Sequence, residues 1–303
     1  MEKRRIPNTG IWVSSLSLGT MTFGTPLAEP EAILLTHWAL DHEINFIDTA
    51  NMYQGYTRYI GSPGGVAEQI LGKALLGRRH QVILATKVGM KIGPNDDDEG
   101  LSAAHIRREI ERSLQRLNCD VVDIYYMHKP DPKTPLGESI RAFDDLITAG
   151  KIRHWGFSNF PAGLIAELLR LCDENGWRRP VVSQPPYSLL KRDIETDVLP
   201  LCQREHIATV PYQVLQGGLL TGKYRRSEPV PSGSRRAEKP AWVWDLNDEL
   251  FAQLEQLEAE ASAAGRSLLG HALRATLDQP GIVSVIVGAK RPDQLAALID
   301  AVG

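Results

Sequence analysis

Short apolar runs alternate with amphipathic stretches along the whole chain. Strand-like runs occupy residues 16–18, 44–48, 82–87, 121–127, 152–157, 181–183, 207–210 and 283–287. Between them, apolar residues recurring every three or four positions predict helices at 31–41, 66–76, 103–117, 138–149, from Pro161 onward, at 194–204 and at 292–301. Ser102 is placed to cap the third of these and Gly150 to stop the fourth, and Pro161 suits a first helical turn. The connections are too long for hairpins, so successive strands should pair in parallel, and nearly unbroken apolar strands should be buried on both faces. Eight such units predict a (β/α)8 TIM barrel, a single domain over residues 1–303; the competing architecture is an open, doubly wound sheet of six or seven strands. The rhythm breaks between residue 217 and about residue 247, rich in Gly, Pro, Ser and Arg and carrying Trp242 and Trp244. That predicts a long structureless covering loop after the seventh strand. Residues 93–100 form an acidic loop without the alternating spacing of a calcium site, and read as a solvated turn.

Composition narrows the partners. With 43% hydrophobic residues the chain can bury a large core. A net charge of −3 and a pI near 6.3 remove any global attraction to nucleic acid or an anionic membrane, so neither is an expected partner and anions must be met locally. Cys119, Cys172 and Cys202 are an odd set without metal-ligand spacing, which reads as reduced thiols, no metal site and a cytoplasmic location. No apolar signal core follows the first residues, and no run reaches the roughly 18 to 20 apolar residues of a membrane span.

A barrel carries its chemistry at the C-terminal ends of its strands. The second, third and fourth strands end in Asp48, Lys87 and His128, neighbours on one rim, and Tyr53 follows Asp48 closely enough to swing over it. Taken singly, such a lysine reads as a solvated terminus and such a histidine as a hydrogen-bonded structural residue. A carboxylate, an amine, a phenol and an imidazole on one rim together make a proton-handling site. The ammonium is expected to lower the phenol's ordinary pKa of about 10 toward the neutral range.

These residues fall within motifs that resemble the aldo-keto reductases, from about Arg5 onward. The matching segments are residues 18–24, 46–50 with Tyr53, 85–87, 123–128, 150–153, 156–160, Gln184 with Tyr187, 218–224 and 287–290, nine in the family's order. The resemblance implies an oxidoreductase using NADPH (NADP+), in which a hydride moves between the nicotinamide and a carbonyl or alcohol substrate. Tyr53 would be the general acid/base, Lys87 held by Asp48 would tune it, and His128 would orient the carbonyl. It also implies that Gly19, Thr20, Met21 and Asp48 border the cofactor, that Ser158, Asn159 and Gln184 bond the carboxamide, and that Tyr212 stacks on its ring. Ser158 and Asn159 read equally well as caps of the helix at Pro161. Gln213, Val214, Leu215, Gln216 and Gly218 would line the pyrophosphate path.

No Gly-x-Gly-x-x-Gly follows a strand, so the loop after strand seven, with Lys223 and Arg235, is the expected anion clamp. Gly288 should begin the helix meeting the adenosine end. Lys290 and Arg291, with Gln294 nearby, favour a ribose 2′-phosphate. Ala297 and Leu298 stand where many relatives carry Glu and Asn, so those adenine contacts do not carry over. Tyr56, Arg58 and Tyr59 lie in an enlarged loop that could reach over the pocket. The chain ends at Gly303 without the tail that closes the pocket in many relatives, so an open mouth accepting varied aldehydes is expected. Two other functions stay open: a nicotinamide-sensing regulatory subunit like the ion-channel β subunits, and an unrelated isomerase or hydrolase using Asp48 and His128. Oligomeric state is not readable.

Overall fold

The computed structural model describes residues 1–303. A two-stranded antiparallel hairpin, β1 (Lys3–Arg5) with β2 (Trp12–Ser14), precedes the barrel. Eight strands follow: β3 (Leu16–Gly19), β4 (Phe46–Asp48), β5 (Ile83–Val88), β6 (Val122–Met127), β7 (Ile152–Ser158), β8 (Val182–Gln184), β9 (Ala208–Thr209) and β10 (Val285–Val287). All pair in parallel in the order β10-β3-β4-β5-β6-β7-β8-β9. The ring closes between β9 and β10, where Thr209 N donates to Gly281 O at 2.8 Å and Val283 N donates to Thr209 O at 3.0 Å. This is the expected (β/α)8 barrel, not an open sheet. Between the strands lie α1 (Glu29–Asp41), α2 (Val66–Ala74), α3 (Ala103–Leu117), α4 (Leu136–Thr148), α5 (Ala162–Asn175) and α6 (Val198–Arg204). After β9 come α7 (Arg235–Glu238), α8 (Asp248–Ala263) and α9 (Leu268–Leu277), and α10 (Pro292–Val302) closes the chain.

The helices between the strands each bury one stripe against them. In α3, Ile106, Ile110, Leu114 and Leu117 recur at four- and three-residue steps and are buried, while Arg107, Glu111 and Arg112 stay exposed. Ser102 caps it as expected, accepting from His105 N at 3.3 Å, and Asn118 ends it in the left-handed region (φ 51°). On the strands, period-two alternation separates two apolar layers. Leu16, Leu18, Ile47, Leu84, Tyr125 and Phe157 pack outward with the helices. Phe46, Ala85, Ile124, Tyr126, Val182, Ala208 and Val210 pack inside with Ile6, Ile11 and Val13 of the hairpin, which plugs the N-terminal end. Two residues beyond Phe46, Ala85, Tyr126, Val182 and Val210, the same inward parity falls on Asp48, Lys87, His128, Gln184 and Tyr212. The rim is therefore polar because the strands carry their apolar inner face only partway up.

Several expectations are corrected. The stretch after strand seven is folded: tight turns over Gln216–Thr221 kinked at Gly217 and Gly218, α7 capped by Ser234, and a turn of 3-10 helix at Pro240–Trp242. Helices α8 and α9 follow it, in a region for which the apolar pattern predicts no helix. Nor does the pattern predict the hairpin, because Lys3–Arg5 is charged and short and shows no apolar alternation. Gly288 does not begin a helix: α10 starts at Pro292, so residues 288–291 form its approach. The acidic loop is a solvated turn in which Asn95 and Asp98 cap each other and Arg108 pairs with Asp97 and Asp98. No helix is long and apolar enough to cross a membrane.

Candidate active site

The rim brings the four proton-handling residues together. Lys87 Nζ donates to Asp48 Oδ1 at 2.5 Å, to Thr49 O at 2.8 Å and to Tyr53 Oη at 3.3 Å. The ammonium also stands 4.9 Å from the Tyr53 ring centroid. Lys87 and Asp48 are 0% and 2% exposed, so each charge depends on the other. The second carboxylate oxygen of Asp48 accepts from Gln184 Nε2 at 2.8 Å, and its main-chain oxygen accepts from Thr20 N and Thr20 Oγ1, both at 3.0 Å. The His128 ring meets Tyr53 edge-on, with centroids 6.0 Å apart, and its buried Nδ1 has no partner.

Two buried carboxylates brace this rim from the helix side. Glu68 of α2 accepts from Thr86 Oγ1 at 2.6 Å and Arg116 Nε at 2.7 Å. Glu109 of α3 accepts from Asn51 Nδ2 at 3.3 Å and Arg112 Nη1 at 2.8 Å. Asn51 N in turn donates to Lys87 O at 3.2 Å. The chain on either side of Lys87, and the turn between Asp48 and Tyr53, are thus fixed by charge-assisted bonds.

The electrostatics correct one expectation. Burial pushes the Tyr53 phenol above its ordinary value of 10; Lys87 pulls it back and Asp48 pushes it up again, leaving it raised. The phenol is therefore protonated through the neutral range instead of being brought toward it. Burial also raises the Asp48 carboxyl, opposed by Lys87 and Gln184. Lys87 is pulled down by burial, but Asp48 and Tyr53 outweigh that and keep the ammonium charged. Burial, then Lys87, Arg58 and Lys129, hold His128 well below 6.5, so its ring is neutral.

Beside the tetrad, Ser158 Oγ donates to Gln184 O at 2.6 Å, and Asn159 Nδ2 donates to His128 O at 2.9 Å. Asn159 Oδ1 accepts from Tyr212 Oη at 2.7 Å, fixing that ring at the rim. Neither Ser158 nor Asn159 caps α5, whose cap position is Pro161 without a side-chain bond. Gly19 lies against β10, where a Cβ would meet Ile286 Cγ2 at 2.7 Å. Met21 is half-buried and Val214 buried beside Leu215. Gln213 (φ 60°) and Gln216 (φ 45°) sit in the left-handed region, a conformation that clusters at functional sites. They line a cavity of about 240 Å³ with Lys191, Gly217, Trp242, Val243 and Trp244. At Gly218 (φ 99°) a Cβ would lie 2.6 Å from Lys223 Nζ, so only glycine lets that lysine lie across the turn.

Lys223, Arg235 and Lys290 form one cationic group, and burial followed by those two neighbours lowers the Lys223 pKa. Of them only Lys290 is ion-paired, with Glu238. Gln294 Oε1 accepts from Lys290 N at 2.8 Å, and Gly288 faces open space. Arg291 is tied on the exterior by Asp293, which leaves Lys290 as the basic residue directed into the group. Tyr56 is buried under these cations and edge-on to Trp242 at 5.3 Å, Arg58 Nη2 donates to Lys91 O at 3.2 Å, and Tyr59 is exposed. Sequence reasoning missed the Gln184–Asp48 bond and the roles of Tyr56 and Glu238 in this group. Inward parity on β8 could have revealed the first. Cations without a carboxylate partner, Lys223 and Arg235, together with an aromatic ring held at the rim, fit a nicotinamide dinucleotide.

A barrel whose rim holds a buried lysine against a carboxylate and a phenol is a frame for proton transfer, and the family and relatives that the chain matches make it an oxidoreductase enzyme. The sequence model of the Aldo/keto reductase family matches residues 15–303, and the chain belongs to that family. It is similar to the aldo-keto reductase YhdN of Bacillus subtilis, with 35% identity over all of this chain and 89% of that protein. It is 34% identical to a probable voltage-gated potassium channel subunit beta of Arabidopsis thaliana, over all of this chain and 91% of that one. The solved glycerol dehydrogenase of Gluconobacter oxydans superposes with a TM-score of 0.81 at 31% identity, covering 99% of this chain and 90% of that one.

Proposed function

We propose that the protein reduces aldehydes or ketones to alcohols, or runs the reverse reaction, with NADPH (NADP+), and that Tyr53 is its general acid/base. The observation that carries this reading is the contact of Lys87 with both Asp48 and Tyr53 under the rim, beside a neutral His128. When bound, the nicotinamide supplies or accepts the hydride. Tyr53 donates its phenolic proton to the carbonyl oxygen, and the Lys87 ammonium stabilises the phenolate left behind. His128, uncharged, offers an N–H to orient the carbonyl. Asp48 keeps Lys87 charged and aimed. Ser158, Asn159 and Gln184 would hold the carboxamide, Tyr212 would stack on its ring, and residues 213–218 would follow the pyrophosphate toward Lys223, Arg235 and Lys290. Thr20, bonded to Asp48, would border the same path with Gly19 and Met21.

The test is a panel of aldehydes, ketones and sugars assayed by nicotinamide absorbance with NADPH and NADH. Saturable turnover with an aldehyde supports the reading. Relatives named as channel β subunits support a second one, a nicotinamide-sensing regulatory subunit. Saturable cofactor binding with no turnover across the panel would favour it.

The raised Tyr53 pKa fixes the sign of the pH dependence. Reduction needs the phenol and oxidation the phenolate. Reduction should be flat between about pH 6 and 9, and alcohol oxidation should still be climbing at the top of that interval. A reduction rate falling with an apparent pKa near about 7 would contradict burial as the dominant influence on Tyr53. At the other end of the path, Lys290→Ala should weaken NADPH about tenfold and NADH little, since a 2′-phosphate meets the ammonium directly. Equal weakening of both dinucleotides in equilibrium titrations would remove Lys290 from the phosphate site.

A further inference from the structure

Three cations gather at one aromatic ring: Arg235 and Lys239 from the loop after β9, and Lys290 from the turn after β10, stand 5.5, 5.6 and 5.7 Å from the Tyr56 ring centroid. Lys223 lies in the same group. A single carboxylate is in salt-bridge contact with these cations. Glu238, at the end of α7, closes an ion pair with Lys290, which also donates to Gly233 O at 3.0 Å. The Lys290 main chain is held by Gln294, so the ammonium reaches toward α7 from a fixed origin. The two side chains are 22% and 29% exposed. That is open enough for an incoming anion to exchange with the carboxylate, and closed enough for the exchange to matter.

We propose that Glu238 is the residue that sets the discrimination between phosphorylated and unphosphorylated nicotinamide dinucleotides, by competing with the 2′-phosphate for Lys290. This rests on the reading that the loop holds such a dinucleotide. A phosphate monoester carries nearly two negative charges near neutrality and reaches Lys290 only by displacing the Glu238 carboxylate, which then repels it. A ribose hydroxyl is neutral, leaves the ion pair in place, and can donate to the same carboxylate. The Lys290–Glu238 pair therefore narrows a preference that Lys290 alone would make steep. Arg235, Lys239 and Lys223 do not discriminate in this way, because no carboxylate holds them in a salt bridge.

The experiment is equilibrium titration of the full chain, without substrate, followed by quenching of tryptophan emission; Trp242 lies edge-on to Tyr56 and reports on this loop. NADPH and NADH are the probes. In Glu238→Gln the Kd for NADPH should fall about five- to tenfold while that for NADH stays level or rises, the scale of a partly exposed ion pair plus the lost repulsion. Adding Lys290→Met to Glu238→Gln should abolish the gain, because the competition then has no object. Tightening of both dinucleotides alike, no change in either, or a gain that survives without Lys290 overturns the proposal, provided that the variants melt with the wild-type protein. Absence of saturable quenching by either dinucleotide in the wild-type chain would instead overturn the nicotinamide reading itself, and this inference with it.

Discussion

Tyr53→Phe should bind the dinucleotide as the wild-type protein does and lose about 10²- to 10⁴-fold in aldehyde reduction, the range ascribed to a positioned general acid. The substitution deletes one oxygen. The ring that meets His128 edge-on at 6.0 Å and lies under the Lys87 ammonium at 4.9 Å remains. The hydroxyl's bond from Lys87 is long, at 3.3 Å, and Lys87 keeps its shorter bonds to Asp48 and Thr49. Folding stability should therefore change little, and the deficit should fall on kcat more than on KM, since the lost interaction belongs to the transition state. Steady-state rates, a fluorescence titration and a melting curve on the same preparation separate these effects. Rates within a few-fold of wild type would exclude Tyr53 as the proton donor.

The rim was legible because strand parity and position coincide. Asp48, Lys87 and His128 each end an apolar run, and the barrel turns three consecutive strand ends into neighbours. The braces behind them were not legible, since Glu68 and Glu109 are ordinary acidic residues of amphipathic helices until packing buries them at 0% exposure. Long-range partners such as Gln184 with Asp48, 136 residues apart, also escape local pattern. The direction of the Tyr53 shift failed for a different reason. Adjacency to a lysine is visible in the order of motifs, but the balance between Coulomb attraction and desolvation depends on how much water the finished site excludes. The loop after β9 misled because Gly, Pro and Ser mark turns, and the short helices between them are held by contacts with Tyr56 and the neighbouring strand ends, outside their own sequence.

Asp48→Asn should destabilise the barrel by about 3–5 kcal/mol, the cost of removing one partner from a buried ion pair. The amide oxygen can still accept from Lys87, and the bonds to Thr49 O and Tyr53 remain, so shape is conserved while the counter-charge is lost and the new amide nitrogen faces Gln184 Nε2, a second donor. Burial acts to lower the Lys87 pKa, and Asp48 is the first of the groups that oppose it. Without Asp48 the folded-state pKa should drop below the unfolded value near about 10.4. A folded-state lysine pKa lowered in this way penalises the native state while the unfolded chain still binds the proton. The penalty is full below the lowered pKa and is relieved as pH rises toward the unfolded value. The variant should therefore melt several degrees below wild type at neutral pH and converge on it toward about pH 10, with turnover depressed because a lysine whose proton is held less tightly stabilises the phenolate less. Thermal melts across that interval decide the matter. An Asp48→Asn variant that matches wild type at neutral pH, or whose deficit widens as pH rises, would mean that the pair is not what keeps Lys87 charged.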